Sequence, residues 1–471
     1  MKEKKSEQGD GVVSHGVFKL DTCPDPDLDT MDLNVETLGE AKIKSPLTLN
    51  FIKGDEIAAF VRDDERLLCD ASLRNHRKYV AQGKEPPSFE SAGPREMIYF
   101  DPTKVKMAMV TCGGLCPGMN NVIRSLVLQL WHRYGVRSIF GVKFGYQGFV
   151  SQYQHPFIDL NPEFVADIHQ HGGTVLGSSR GEQSVEELVD SLERHNINVL
   201  FTIGGDGTLR GAIAINEEIK RRGLRIGVIG VPKTIDNDIP FVSRTFGHDT
   251  AVDQATNAIC AAHVEAKGAP NGVGVVKLMG RHSGYIACKS SIAMREVNVV
   301  LIPEQRFEME GEKGLCAFLE RRLASRGHAV IVVAEGAGQD FFLAAGSGKA
   351  KHDASGNLKL HDIGDYLSDK LKRHFKTIGV PLNLKYIDPS YIIRAAPANS
   401  MDAIFCNNLA EHAAHAAMAG KTGMVVGLWY ENFTHLPLSV ATCNRKVVDL
   451  EGDLWRSTVE STGQPPKLRK E

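Results

Sequence analysis

From Val105 onward the chain repeats one pattern: a short apolar run, a glycine-rich turn, then a stretch whose apolar positions recur at helical spacing. The run VKMAMVT at 105–111 leads through CGGLCPG into MNNVIRSLVLQLWHRYG. RSIFGVKFG, INVLFTI at 197–203, LRIGVIGV at 224–231, GVGVVKLM at 272–279, VNVVLIP at 297–303 and HAVIVVAEG at 328–336 continue the series. Short β-branched runs alternating with helices predict parallel sheets covered by helices. There are too many runs for one comfortable sheet. The expected class is therefore α/β, with two doubly wound, mostly parallel-sheet domains facing a cleft, and ligands gathering at the carboxyl ends of the strands.

The first hundred residues break this pattern. DTCPDPDLDT and GKEPPSFESAGPRE carry few regular apolar periods, so residues 1–100 read as an N-terminal extension, partly irregular, packing on the main body. One α/β domain is expected over 101–248, completed by about 394–445. The other is expected over 249–393 with the C-terminal segment 446–471. The polar, glycine-rich stretch 338–362 reads as a surface excursion.

Composition narrows the class. With 471 residues, 42% hydrophobic and 24% charged, the chain matches an ordinary globular enzyme. A net charge of -2 argues against nucleic-acid or membrane partners, so an anionic ligand must be held by local positive charge. No apolar run reaches the roughly 18 residues of a membrane span. The opening residues lack the apolar core of a signal peptide, and the nine cysteines lack a disulfide or metal pattern, which makes the cytoplasm the expected compartment. Cys112 and Cys116 form the nearest pair, and no second pair completes a metal site.

Three strand ends could carry chemistry. In TCGGLCPGMNNVIR, 111–124, paired glycines before a helix let backbone N–H groups face a phosphate, although many strand-to-helix turns look alike. In GGDGTLRGA, 204–212, a polyphosphate could lie against Gly204, Gly205 and Gly207 while Asp206 holds Mg²⁺ through oxygen. A plain capped turn explains one or two of those glycines and less well all of them. In GVPKTIDNDIP, 230–240, Asp236 and Asp238 stand two apart beside Lys233 and Thr234. One such carboxylate can accept a hydroxyl proton, and the plain alternative is an Asx turn. Arg281, in VVKLMGRHSGYIA, and Tyr391 and Arg394, in YIDPSYIIRAAPANSMDA, could grip a sugar phosphate or form structural ion pairs. Glu335, at the end of IVVAEG, could accept from sugar hydroxyls or cap its turn. A metal-holding Asp, a base Asp and several arginines together describe a phosphoryl-transfer site.

In this order, GGDGT, PKTIDNDI, LMGRHSGYIA and YIIRAAPANSMDA closely resemble the phosphofructokinase family, over about residues 104–450. Within it the chain looks most like the long ATP-dependent enzymes of kinetoplastids and plants. The resemblance implies transfer of the γ-phosphate of MgATP to the 1-hydroxyl of fructose 6-phosphate. It implies that Gly113, Tyr146, Arg180, Gly181, Gly205, Asp206, Gly207 and Thr208 bind ATP, with Asp206 on Mg²⁺. Thr234, Ile235 and Asp236 would hold the sugar, Asp236 as base, with Asp238 supporting it. Met279, Gly280, Arg281, Glu335, Lys385, Tyr391, Ile392, Ile393 and Arg394 would complete the sugar-phosphate site. The ATP site falls in the first domain and the sugar phosphate in the second, and the family is typically a regulated homotetramer. Pyrophosphate-dependent relatives share Lys233 but carry Asp where Gly207 stands, and that carboxylate would crowd the α-phosphate of ATP. Gly207 thus points to ATP, with the pyrophosphate-dependent reaction as the alternative. Bacterial members place a cross-subunit arginine where this chain has Gly272, and Lys267 is the nearby cation that could replace it. Lipid and NAD kinases share GGDGT but lack the TIDND and MGR partners. A nucleotide-sensing regulatory subunit would be expected to lack Asp206 or Asp236, and both are present.

Overall fold

The apolar runs become strands covered on both faces. The structure, a computed structural model, describes residues 28–51, 57, 59–344 and 359–470. Met424–Trp429, Gly227–Pro232, Val199–Gly204, Lys106–Thr111 and Ser138–Val142 lie side by side, all parallel. Along them, Met107, Met109 and Phe201 point into one core, against Ile123, Leu126 and Ala410. Ala108, Val110 and Leu200 point into another, against Leu188, Leu209 and Ile215. Both faces are apolar, so these strands read as continuous runs and not as alternating ones. Asn432–Pro437, Ser88–Ser91 and Arg66–Leu68 extend one edge antiparallel and Ile158–Asp159 the other, giving nine strands.

The second sheet has the order Val299–Leu301, His328–Ala334, Gly272–Leu278, Asn383–Ile387 and is parallel throughout. Its Val276, Leu278, Val330 and Val332 share the core that Met107 and Phe201 enter, which joins the two sheets through one apolar mass. The α/β class with two mostly parallel sheets is therefore what the chain adopts. The helix expected after CGGLCPG runs Met119–Leu128, continues as a wider turn over Gln129–Tyr134 and stops at Gly135, whose φ is 82°. It packs against the long helix Ser400–Met418, through which the chain returns to the first sheet.

The extension is more regular than its composition suggested, because two of its segments pair far away in sequence. Ser91 and Glu90 stand opposite Thr434 and His435. The Glu90 carboxylate is buried with Lys421 Nζ at 2.8 Å, Arg95 Nη2 at 3.1 Å and His435 Nδ1 at 2.9 Å. Burial alone would raise its pKa, yet the bonds from His435 and Lys421 hold it down at about 2. Residues 1–27, and 345–358 of the expected surface excursion, lie outside the described residues.

Glu90→Gln strips a buried charge from its cationic partners and should cost about 3–5 kcal/mol in denaturant unfolding. The folded pKa lies below the ordinary value of 4.5, so the wild-type contribution is full above that pH and disappears as pH falls toward 2. The variant should lack this acid-dependent step, and an unchanged acid profile would show that Glu90 is not the group responsible.

Candidate functional site

The predicted chemistry collects where strands of both sheets end. Val199–Gly204 feeds Gly205, which caps helix Asp206–Arg221 with φ -85° and ψ -165°. The first N–H groups of that helix have no intrahelical acceptors, and its positive end faces outward here. Asp206 sits in this turn, and Arg210 one turn on gives Nε to both of its oxygens at 3.2 Å. Gly207 is exposed, with nothing within 4 Å of where a Cβ would stand. Thr208 turns inward and is buried.

Neighbouring loops close on this turn. Tyr146 is half-buried, packs against Gly211 and donates its hydroxyl to Thr208 O at 2.8 Å. Gly113 has φ 82° and donates its N–H to Ser179 O at 3.1 Å, which ties the glycine turn to the GSSRG loop. Arg180 Nη2 stands 3.2 Å from where a Cβ on Gly114 would be, and Arg180 and Gly181 are exposed. Lys233 is buried and donates Nζ to Gly114 O at 2.6 Å.

Strand Gly227–Pro232 delivers the aspartates. Thr234 Oγ1 donates to Asp238 Oδ1 at 2.7 Å. Between the two acids Asn237 takes a left-handed φ of 55°, and its amide oxygen accepts the Thr245 N–H at 3.1 Å. Asp236 differs from its neighbour. Its Oδ1 is enclosed and has no hydrogen-bond partner. Burial, then the charges of Asp238 and Glu335, push its pKa up to about 7, opposed by Arg394 and by the Arg281 backbone N–H. A carboxylate balanced near neutral pH with a vacant lone pair suits proton acceptance.

The second sheet supplies the facing wall. Gly272–Leu278 ends in Met279, Gly280 and Arg281, and His328–Ala334 ends in Glu335, whose N–H donates to Leu278 O at 2.9 Å. Gly280 has φ 126°, and a Cβ there would lie 2.3 Å from Ser283 O, so only glycine fits. Ser283 Oγ donates to Asp236 O at 3.0 Å, joining the walls. Ile235, Met279 and Ile393 have buried side chains and can face a ligand only through backbone. Helix Ser390–Ala395 leaves Tyr391 85% and Ile392 71% exposed, while the charge of Arg394 is felt at Asp236. Lys385 is also exposed and lies level with Gly274, behind the strand end that carries Met279.

Two features add to the sequence reading. Arg445 donates Nη2 to Asp206 at 3.4 Å and Nη1 to Asp238 at 3.3 Å. Nothing in its local sequence signals this, whereas the i, i+4 spacing of Arg210 from Asp206 does. Gly272 has a packing cause: a Cβ there would stand 2.0 Å from Ala266 O, so no cationic side chain can occupy the position. Lys267 is exposed at the end of helix His248–Lys267. Burial raises the Cys112 and Cys116 thiols to about 12. No group of three or more His, Cys, Asp or Glu side chains suited to a metal occurs among the described residues. Asp206 and Asp238, two hard oxygen donors reached by one guanidinium, fit Mg²⁺, which keeps waters and shares a substrate's phosphates. No described helix is long and apolar enough to cross a membrane.

The Phosphofructokinase family model matches residues 106–417. The ATP-dependent 6-phosphofructokinase of Borreliella burgdorferi is 48% identical over 447 residues, covering 94% of this chain and 98% of that protein. The Trypanosoma brucei brucei protein of the same name is 49% identical over 376 residues, covering 79% and 76%. A crystal structure of a pyrophosphate-dependent phosphofructokinase from Marinobacter aquaeolei superposes with TM-score 0.62 at 20% identity, covering 76% of this chain and 91% of that one, a likeness of fold.

The raised pKa of Asp236 has a thermodynamic consequence. The folded chain keeps a proton that the unfolded chain releases, so stability falls as pH rises from the ordinary value of 3.8 through about 7. Asp236→Asn should therefore melt at a higher temperature than wild type at about pH 8, with the gap shrinking toward about pH 4. Equal calorimetric midpoints at the higher pH would mean that Asp236 bears no burial penalty.

Proposed function

The chain belongs to the phosphofructokinase family, and from that membership we propose that it is an ATP-dependent 6-phosphofructokinase. It transfers the γ-phosphate of ATP to the 1-hydroxyl of fructose 6-phosphate, giving fructose 1,6-bisphosphate and ADP. The observation that carries the reading is the enclosed, unpartnered Oδ1 of Asp236 in the loop that follows strand Gly227–Pro232.

Asp236 accepts the hydroxyl proton as the bond from O1 to the γ-phosphorus forms and the bond from that phosphorus to the ADP oxygen breaks. Thr234 and Asp238 fix the strand end that carries the base. Main chain at Ile235, Met279 and Gly280, with Arg281, positions the sugar, and Glu335 accepts from its hydroxyls. Arg394 and the exposed residues Tyr391, Ile392 and Lys385 frame the 6-phosphate, Lys385 reaching a neighbouring subunit of a homotetramer, while Ile393 anchors their helix. The glycine turn at Gly113, the helix start at Gly205–Thr208, Tyr146, and Arg180 with Gly181 take the nucleotide. Residues 101–248 thus form the ATP side and 249–393 the sugar-phosphate side. Mg²⁺ held by Asp206 would supply charge neutralisation on the transferring phosphates. The enzyme works in the cytoplasm.

Asp236→Asn should lower kcat by about a hundredfold, the scale of a lost general base. Wild-type kcat/KM should climb as pH rises through about 7, where the base gives up its proton. A variant with wild-type turnover would remove Asp236 from the role. In side-by-side assays wild type should use ATP in preference to pyrophosphate. Gly207→Asp meets no protein atom within 4 Å of its Cβ. It should therefore spare folding and the KM for fructose 6-phosphate while weakening ATP use at least about tenfold through like-charge repulsion. Unchanged ATP affinity would show that a carboxylate at 207 does not set donor choice.

A further inference from the structure

The carboxylate assigned to the metal, Asp206, and the one beside the base, Asp238, are already bridged by a protein cation. Arg445 places its two terminal nitrogens on different acids, Asp206 of the helix turn and Asp238 of the neighbouring strand end. It is 31% exposed and the acids 29% and 13%, so the bridge lies at the mouth of the cleft, within reach of a ligand.

The segment that carries Arg445 is held on both sides. Thr442 O accepts Arg210 Nη2 at 2.9 Å, and the Lys446 N–H donates to Asp238 O at 2.8 Å. From the second sheet's side, the Tyr285 hydroxyl donates to Val447 O at 2.7 Å, and Glu304 Oε1 accepts the Val448 N–H at 2.7 Å. The backbone of this strap is fixed, so the long Arg445 side chain is the part free to change partners. Two cations cannot share those carboxylates comfortably: unit charges a few ångströms apart repel even in a wet cleft.

We propose that Arg445 is a resident counter-cation that excludes a bare divalent ion from Asp206 and Asp238 and yields those acids only when a nucleotide polyphosphate arrives to accept its guanidinium. The reason is electrostatic accounting at one place. With metal alone, the guanidinium would face a dication without an acceptor. With a metal–nucleotide complex, the incoming phosphates supply the negative charge it loses. Arg445 is thereby a positioning residue that makes metal entry depend on nucleotide. This inference rests on the reading of Asp206 as a metal ligand.

The test uses the full-length protein and Mn²⁺ without nucleotide, followed by electron paramagnetic resonance. Arg445→Gln should bind bare Mn²⁺ about tenfold more tightly than wild type, the effect of removing one nearby positive charge. Its KM for the metal–ATP complex should rise. Arg445→Lys keeps the charge and should hold Mn²⁺ affinity within about twofold of wild type. A role limited to structural support predicts the opposite sign, since loosening the acids would weaken metal binding. If Arg445→Gln binds bare Mn²⁺ no more tightly than wild type, while Asp206→Asn abolishes that binding, the inference about Arg445 fails and the metal assignment stands. If the gain survives in the double variant Arg445→Gln with Asp206→Asn, the ion lies elsewhere and the metal assignment itself fails.

Discussion

Like charge brought to one place is the constraint around which this site is built. Asp236 is pressed by the charges of Asp238 and Glu335, and Asp206 shares the Arg445 guanidinium with Asp238. The compensation is unequal. Asp206 has Arg210 and Arg445, and Asp238 has Thr234 and Arg445, whereas one oxygen of Asp236 has no partner. Where titratable groups stand in unequal environments, the inequality sorts their roles. The acid whose ionisation the fold opposes is the one able to take a proton near neutral pH.

The scaffold explains why these groups meet at strand ends. Both faces of each sheet are covered by packed helices, so a sheet can offer a ligand only its ends. The two sheets are joined by a shared apolar core, which fixes the angle at which their ends confront each other. The C-terminal third then ties the arrangement together. Helix Ser400–Met418 and strand Met424–Trp429 belong to the first sheet's cores, and the strap that follows bonds to both walls of the site.

What the sequence made legible was local. Runs such as INVLFTI and HAVIVVAEG announce buried strands because burial on both faces leaves a continuous apolar signature. The turns behind them announce chemistry because glycines beside carboxylates do little for packing. The extension's strands were not legible: Ser88–Ser91 is four residues long, sits near a sheet edge, and pairs with residues more than three hundred positions away. The Glu90 cluster hides for the same reason, since its partners Lys421 and His435 come from the far end of the chain. Arg445 is the clearest case, an arginine in an unremarkable segment whose meaning lies wholly in two acids folded against it. The chemistry of Asp236 was half legible: its motif was visible, but its pKa depends on Glu335 and Arg394, which only the fold brings near.

Lys233 has a structural task in this chain. The resemblance to pyrophosphate-dependent relatives at this position links it to the phosphoryl donor only as an expectation. In this chain the buried ammonium donates to Gly114 O at 2.6 Å and so tethers the glycine turn to the strand that carries the aspartates. Burial lowers its pKa, and the nearby charges of Arg394 and Arg180 push the same way, so the tether is held against a cost. That task is the same whichever donor lies on the turn. Gly207 is the reverse case, exposed and touched by no protein atom near its Cβ position, so packing places no demand on it. A position the fold leaves free, at the start of helix Asp206–Arg221, is where a bound ligand and not packing can set the side chain. A fold alone does not set the reaction, so any donor preference must come from positions the packing leaves open.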